Sequence, residues 1–85
     1  MSKTERNKQI VKMVDSRIKQ LGYAGKLEMD PIPNSFKRRN HFTQKDDGTG
    51  VFTAFMWQMN ELSDKELAAD IDNRINEAAK HFKLK

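Results

Sequence analysis

Residues 36–42 place four basic or potentially basic side chains between two aromatic rings. The segment reads Phe-Lys-Arg-Arg-Asn-His-Phe. Surfaces that bind nucleic acid combine these residue types, because lysine and arginine neutralise phosphates while aromatic rings stack on bases. Arginine also binds a phosphate or a guanine edge through two parallel hydrogen bonds. The segment therefore predicts contact with nucleic acid, although charges on a strand edge also protect a sheet against aggregation.

The basic excess of the chain is concentrated at its N-terminal end. The net charge is +4; residues 1–21 carry six lysines and arginines against two acids, whereas residues 61–85 carry five against six. Such asymmetry suggests an anionic partner, and solubility is the competing explanation. The predicted nucleic-acid contacts combine this end of the chain with the central segment: Lys8, Lys12, Lys37, Arg38, Arg39, His41 and Lys45.

The most apolar stretch, residues 50–59, offers a second kind of interface. It is too short to span a membrane, and its β-branched and aromatic residues favour a strand with apolar side chains on both faces. If the face bearing Val51 and Phe55 packs on the helices, Phe52 and Met56 lie on the open face. The residues predicted to dock a protein or a second copy of the chain are Phe52, Met56 and Trp57. Alternatively, the loop between residues 27 and 36 covers that face.

Catalytic and metal-binding patterns are absent from the sequence. The two histidines, His41 and His81, are forty residues apart, and there is no cysteine. Residues 46–48, Asp-Asp-Gly, are more typical of a turn than of a cation site. An acid–base triplet of His41, an arginine and Glu28 has no supporting spacing. We therefore expect no enzyme activity, no metal and no cofactor.

An amphipathic helix is predicted over residues 2–21. Ser2 begins a sequence with capping-box spacing, and Gly22 suits the left-handed position that follows a helix. Lys8, Lys12 and Lys19 fall on the face opposite an apolar stripe. The stripe consists of Ile10, Val11, Val14, Ile18 and Leu21.

A second amphipathic helix is predicted over residues 60–85. Residues 63–66, Ser-Asp-Lys-Glu, form a capping box. The apolar stripe consists of Leu67, Ile71, Ile75, Ala78 and Phe82. The outer side carries Glu66, Asp70, Asn73 and Glu77, so this helix presents a face of opposite sign to the first.

Strands are predicted between the two helices. Leu27 and Met29 alternate with polar residues, which indicates a short strand. Pro31 and Pro33 predict a loop over residues 31–34. Residues 36–44 and 50–59 then form an antiparallel hairpin around the turn residues 45–50.

The chain is predicted to be one domain, residues 1–85, of the α+β class. Two helices pack on a two- or three-stranded antiparallel sheet in the order α-β-β-β-α, or α-β-β-α if the first strand fails. With no leader and no cysteine, we expect a cytoplasmic protein that does not enter membranes and is a monomer or homodimer. The predicted function is non-catalytic binding of DNA or RNA. The alternative is a regulator or inhibitor, of bacterial or phage type, that docks on a larger protein through an apolar sheet surface with a basic rim.

Overall fold

Two long helices lie on one face of a three-stranded sheet in the computed structural model, which describes residues 2–32 and 41–84. The elements are α1 (Lys3–Gln20), β1 (Leu27–Ile32), β2 (Phe42–Gln44), β3 (Gly50–Phe55), α2 (Met56–Met59) and α3 (Asp64–His81). Helix α1 packs mainly on β1, and α3 packs mainly on β3. The predicted α+β class and the order α-β-β-β-α are confirmed, with α2 added as a single helical turn.

The sheet is mixed, so the prediction of a purely antiparallel sheet is wrong. The strand order is β1-β3-β2; β1 runs parallel to the central strand β3, and β2 runs antiparallel to it. The predicted antiparallel pairing of the hairpin is confirmed between β2 and β3. Only Phe42–Gln44 of the predicted strand 36–44 lie in β2, and residues 36–40 of that strand lie outside the described residues. Alternating polarity specifies the face that a side chain takes, but it carries no information on the direction of the neighbouring strand. The alternating polarity therefore predicted that β1 is a strand, but it did not predict that β1 runs parallel to β3.

Strand β1 continues through Pro31 to Ile32, two residues that the sequence placed in a loop. The N–H of Gly50 donates to the carbonyl oxygen of Lys26 at 3.0 Å, and in a parallel ladder alternate residues bond to the neighbouring strand. This alternation turns the nitrogen of Pro31 toward the outer edge of the sheet. Because β1 is an edge strand, the missing N–H of proline costs no ladder hydrogen bond.

The central strand is shorter than predicted and is buried on both faces. It ends at Phe55, after which the chain turns into α2. Phe52 and Ala54 lie in the core with the helices, so the face bearing Val51 and Phe55 is the one turned away from them. Thr53 and Phe55 are nonetheless only 5 % exposed. A strand with apolar side chains on both faces does not reveal which face meets the helices.

The two long helices begin in the same way. The side-chain oxygen of Ser2 accepts a hydrogen bond from the N–H of Glu5 at 3.2 Å. At α3 the capping box is complete, because Ser63 accepts from the N–H of Glu66 at 3.2 Å and its own N–H donates to the Glu66 carboxylate at 3.3 Å. Both caps satisfy backbone groups that the first turn of a helix leaves without partners.

The two long helices also end in the same way, with a residue in the left-handed region. After α1 this residue is Gly22, with φ of 84°, and the next amide donates to the carbonyl oxygen of Ile18 at 3.0 Å. After α3 it is Lys83, with φ of 56°, and the next amide donates to Ala79 at 2.8 Å. Both ends are Schellman motifs, but only the first uses the residue best suited to it.

The hydrophobic core lies between the helices and the sheet, where the predicted stripes of both helices meet. Within the described ranges, no helix has the length and apolar character needed to cross a membrane. The buried core residues are Ile10, Val14, Ile18, Leu27, Phe52, Ala54, Met56, Met59, Leu67, Ile71, Ile75 and Ala78.

Candidate functional site

Three lysines form one stripe along the outward face of α1. With 3.6 residues per turn, Lys8, Lys12 and Lys19 lie within about 40° of one another around the helix. All three are exposed, and among the described residues none of them takes part in an ion pair. Glu5 and Asp15 border the stripe on its two sides. The stripe therefore presents three solvated ammonium groups.

The arginines of the same helix are used differently, because they bind α3. Arg6 is 15 % exposed in its side chain and contacts the carboxylate of Asp64 at 2.9 Å. Its second terminal nitrogen donates to the carbonyl oxygen of Leu62 at 3.1 Å. Arg17 holds both carboxylate oxygens of Asp72, at 2.7 and 3.3 Å. A planar guanidinium suits such two-point contacts, whereas a lysine ammonium is a strongly hydrated point charge.

The outward face of α3 carries charges of both signs. Lys65 and Lys80 are exposed there, as are Glu66 and Glu77. The acidic Asp70, part of the predicted acidic side, contacts Arg74 at 2.7 Å. The acidic outer side predicted for α3 therefore also carries exposed lysines, whereas the lysines of α1 fall in one stripe with Glu5 and Asp15 beside it.

Of the residues predicted to bind nucleic acid from the hairpin, the structure describes only His41 and Lys45. Lys37, Arg38 and Arg39 lie outside the described residues. His41 is exposed, and its carbonyl oxygen accepts the N–H of Thr53 at 3.0 Å. Because it precedes a residue that faces the helices, His41 takes the opposite face of the sheet. Its imidazole is therefore not brought together with the lysines of α1.

Lys45 is tied to an acid rather than left to solvent. Its ammonium group forms an ion pair with Glu28, and this hydrogen bond raises the pKa of Lys45. The register explains the contact, since Glu28 lies opposite Val51 on one side of β3 and Thr43 lies opposite it on the other. Lys45 therefore reaches across the central strand on the face turned away from the helices, where Glu28 is its partner.

The aromatic ring of Phe42 serves packing rather than base stacking. It stacks on the imidazole of His81 with ring centroids 4.4 Å apart and meets Phe82 edge-on at 6.1 Å. Phe82 in turn covers Gly50, where an added Cβ would lie 2.5 Å from the ring. This cluster fastens the end of α3 to the hairpin. Phe36, the other aromatic residue of the predicted surface, lies outside the described residues.

The predicted apolar docking surface is not formed by the residues assigned to it. Phe52 and Met56 are each 2 % exposed and belong to the core. Trp57 is half-buried on α2 and meets the ring of Phe55 edge-on, with centroids 6.5 Å apart. The error came from the choice of sheet face, because the face of β3 that bears Phe52 is the one that meets the helices, and Met56, which follows the strand, also lies in the core. Of the three predicted contacts, only Trp57 keeps partial exposure.

The loop between β2 and β3 has the turn chemistry that its sequence predicts. The N–H of Thr49 donates to a carboxylate oxygen of Asp47 at 2.9 Å, and this hydrogen bond lowers the pKa of Asp47. The N–H of Lys45 closes the hairpin on the carbonyl oxygen of Thr49 at 2.8 Å. In the part of the chain that the structure describes, no three histidine or acidic side chains are grouped closely enough to hold a metal ion.

The chain has no match among protein-family models, curated proteins or solved structures. We therefore infer its function from the contacts and charges of its own residues.

Proposed function

We propose that the protein is a small non-catalytic module that binds nucleic acid through the lysine stripe of α1. The observation that supports the proposal is that the arginines and the lysines of α1 have different partners. Arg6 and Arg17 bind carboxylates of α3, whereas Lys8, Lys12 and Lys19 are exposed and have no ion pair among the described residues.

The physical basis of the proposal is phosphate neutralisation. A lysine without an internal partner gives up no ion pair when it meets a phosphate, and each contact releases condensed counterions from the nucleic acid. Lys45 lacks this advantage, because it would first have to leave Glu28. Glu5 and Asp15 beside the stripe reduce the attraction, so the affinity is that of a weak, salt-sensitive binder, with Kd on the order of 10⁻⁴ to 10⁻⁶ M.

The other two surfaces predicted from the sequence are a basic segment and an apolar docking surface. Lys37, Arg38 and Arg39 stay predicted as additional phosphate contacts. Docking on a larger protein through an apolar sheet surface now depends on Trp57, since Phe52 and Met56 lie in the core. The lysine stripe is therefore the better-supported surface.

The test is a comparison of two variants with equal net charge. Lys8→Gln/Lys12→Gln removes two stripe lysines, and Lys65→Gln/Lys80→Gln removes two exposed lysines of α3 as a matched control. Fluorescence anisotropy with a short labelled duplex at about 50 mM salt measures both. We expect the stripe variant to bind about tenfold more weakly and the control to change by about twofold or less, since each lost phosphate contact removes counterion release. Equal weakening in the two variants would show a response to net charge alone, and an absence of any binding would remove nucleic acid as the partner.

A further inference from the structure

Helices α1 and α3 lie side by side on the sheet and leave a groove between them. Arg6 contacts Asp64 near the start of both helices, and Arg17 contacts Asp72 about two turns further along α3. These contacts advance along both helices, so the two helices run in the same direction. The groove between them opens to solvent and has a volume of about 470 Å³. Sites that hold small molecules in proteins span about 300–1,000 Å³, so the groove has the size of a ligand site.

Both helices contribute apolar side chains to this groove. They are Met13 of α1 and Ala68 and Ile71 of α3. Ile71 is only 3 % exposed, Met13 packs partly against the core, and Ala68 is exposed. An alanine fills little of the groove, and a methionine side chain adapts its shape to what it contacts. This lining therefore favours a ligand with an apolar body.

The polar side chains of α1 along the groove leave hydrogen-bond donors without partners. The side-chain oxygen of Gln9 accepts from Arg6 at 3.0 Å, and that of Gln20 accepts from Arg17 at 3.3 Å. Within the described part of the chain, the NH2 groups of both glutamines and the ammonium group of Lys12 have no partner. Free donors suit a ligand group that only accepts hydrogen bonds, and a carboxylate is such a group.

The one acid among the described residues that line the groove is already paired. Arg17 holds both carboxylate oxygens of Asp72, at 2.7 and 3.3 Å. Lys12 adds a positive charge that no acid of the described lining balances. The groove therefore combines an apolar surface with an excess of one positive charge, which favours an anionic ligand over a cationic one.

We infer that this groove binds a small anionic amphiphile, a molecule with an apolar body and one carboxylate. The apolar body lies against Met13, Ala68 and Ile71, and the carboxylate accepts hydrogen bonds from Lys12. This site goes beyond the proposed binding of nucleic acid and does not depend on it. Most of the affinity comes from the apolar body, because an exposed ion pair contributes little. For a ligand of about twelve non-hydrogen atoms, we expect a Kd on the order of 10⁻³ M.

The first experiment titrates the intact protein with decanoate, below the concentration at which it forms micelles, and follows the NMR signals of the methionine methyl groups. We expect a saturable shift of the Met13 signal, while the signals of Met56 and Met59, which are at most 2 % exposed, stay in place. Decyltrimethylammonium, with the same chain and the opposite charge, should bind about fivefold more weakly. The absence of a saturable shift at Met13, or equal binding of the two probes, would overturn the inference while leaving the proposed function in place.

The second experiment compares variants of equal charge to locate the bound decanoate. Ala68→Glu places a carboxylate in the groove, whereas Ala69, the next exposed alanine of α3, is not among the described residues that line it. We expect Ala68→Glu to bind decanoate about tenfold more weakly and Ala69→Glu to change by about twofold or less, since an unpaired like charge excludes the ligand. Lys12→Gln should bind about threefold more weakly, and Lys80→Gln, further along α3, should bind as the unaltered protein does. Equal effects of the two glutamate variants would show that decanoate binds elsewhere and would overturn the inference.

Discussion

Helices α1 and α3 are alike in almost everything except how they use their charged side chains. Each has 18 residues, a serine cap at its start and a left-handed residue after its end. Both lie on the same face of the sheet. On the outside, however, α1 carries three lysines in one stripe between Glu5 and Asp15, whereas the exposed charges of α3 are of mixed sign.

The difference shows that positive charges in one small domain can have separate roles. The guanidinium of Arg17 binds Asp72 of the neighbouring helix through two contacts, and Arg74 binds Asp70 within α3. The lysines of α1 take no part in such pairs among the described residues. Counting basic residues therefore overstates the surface available to an anion, and the relevant number is the count of cations without internal partners.

The largest expected effect concerns the end of α3, where the ring of Phe82 packs on Gly50 of the sheet. Gly50→Ala places a Cβ 2.5 Å from the ring of Phe82, and the ring has to move. We expect a loss of about 1–3 kcal/mol in the free energy of unfolding, measured by chemical denaturation. The control is Gly50→Ala in a Phe82→Ala background, where the steric penalty should largely disappear. An equal penalty in both backgrounds would mean that the contact with Phe82 is not what requires glycine.

The next largest effect is a difference in stability between the loss of an arginine and the loss of a lysine on α1. Arg6→Gln removes a largely buried guanidinium that binds Asp64 and the carbonyl oxygen of Leu62, so we expect a loss of about 1–2 kcal/mol of stability. Lys8→Gln, two residues along the same helix, should change stability by less than about 0.5 kcal/mol. Thermal denaturation of the two variants side by side gives the comparison. Similar losses in both would contradict the assignment of arginine to packing and lysine to the surface.

The smallest effect compares the two helix ends. Lys83 adopts φ of 56°, while the equivalent residue after α1 is Gly22. Lys83→Gly removes the strain of a residue with a side chain in the left-handed region, but it also increases the conformational entropy of the unfolded chain. We expect a net gain of about 0.5–1 kcal/mol in the free energy of unfolding. The reciprocal change, Gly22→Lys, should lose a similar amount. Denaturant midpoints of the two variants shifting in the same direction would show that the two ends are not equivalent.

Features specified by neighbouring residues were predictable from the sequence. The Ser63 cap, the left-handed Gly22 and the β2–β3 hairpin each depend on side chains and turns within a few residues. The direction of β1 and the end of β3 at Phe55 depend on packing between distant segments, and the sequence pattern did not predict them. Proline was misread at Pro31 because its effect depends on whether the strand lies at an edge.

In the candidate site, too, local features were predictable from the sequence and contacts between distant residues were not. The exposure of Lys8 and Lys12 follows from helical periodicity, which placed them opposite the apolar stripe. The pairing of Lys45 with Glu28, and of Arg17 with Asp72, joins residues that are distant in sequence. No local pattern indicates which lysines and arginines form ion pairs with distant acids. For this reason the sequence predicted Lys45 as a phosphate contact and did not predict the different roles of lysine and arginine on α1.

The most direct test of the account is the salt dependence of duplex binding by the intact protein and by the triple variant Lys8→Gln/Lys12→Gln/Lys19→Gln. Each phosphate contact contributes about −0.9 to the slope of log K against log salt concentration. We expect the triple variant to retain its fold and to have a slope smaller in magnitude by about 2.7 than that of the unaltered protein. A slope that is the same in both proteins would show that the lysine stripe of α1 does not contact the nucleic acid.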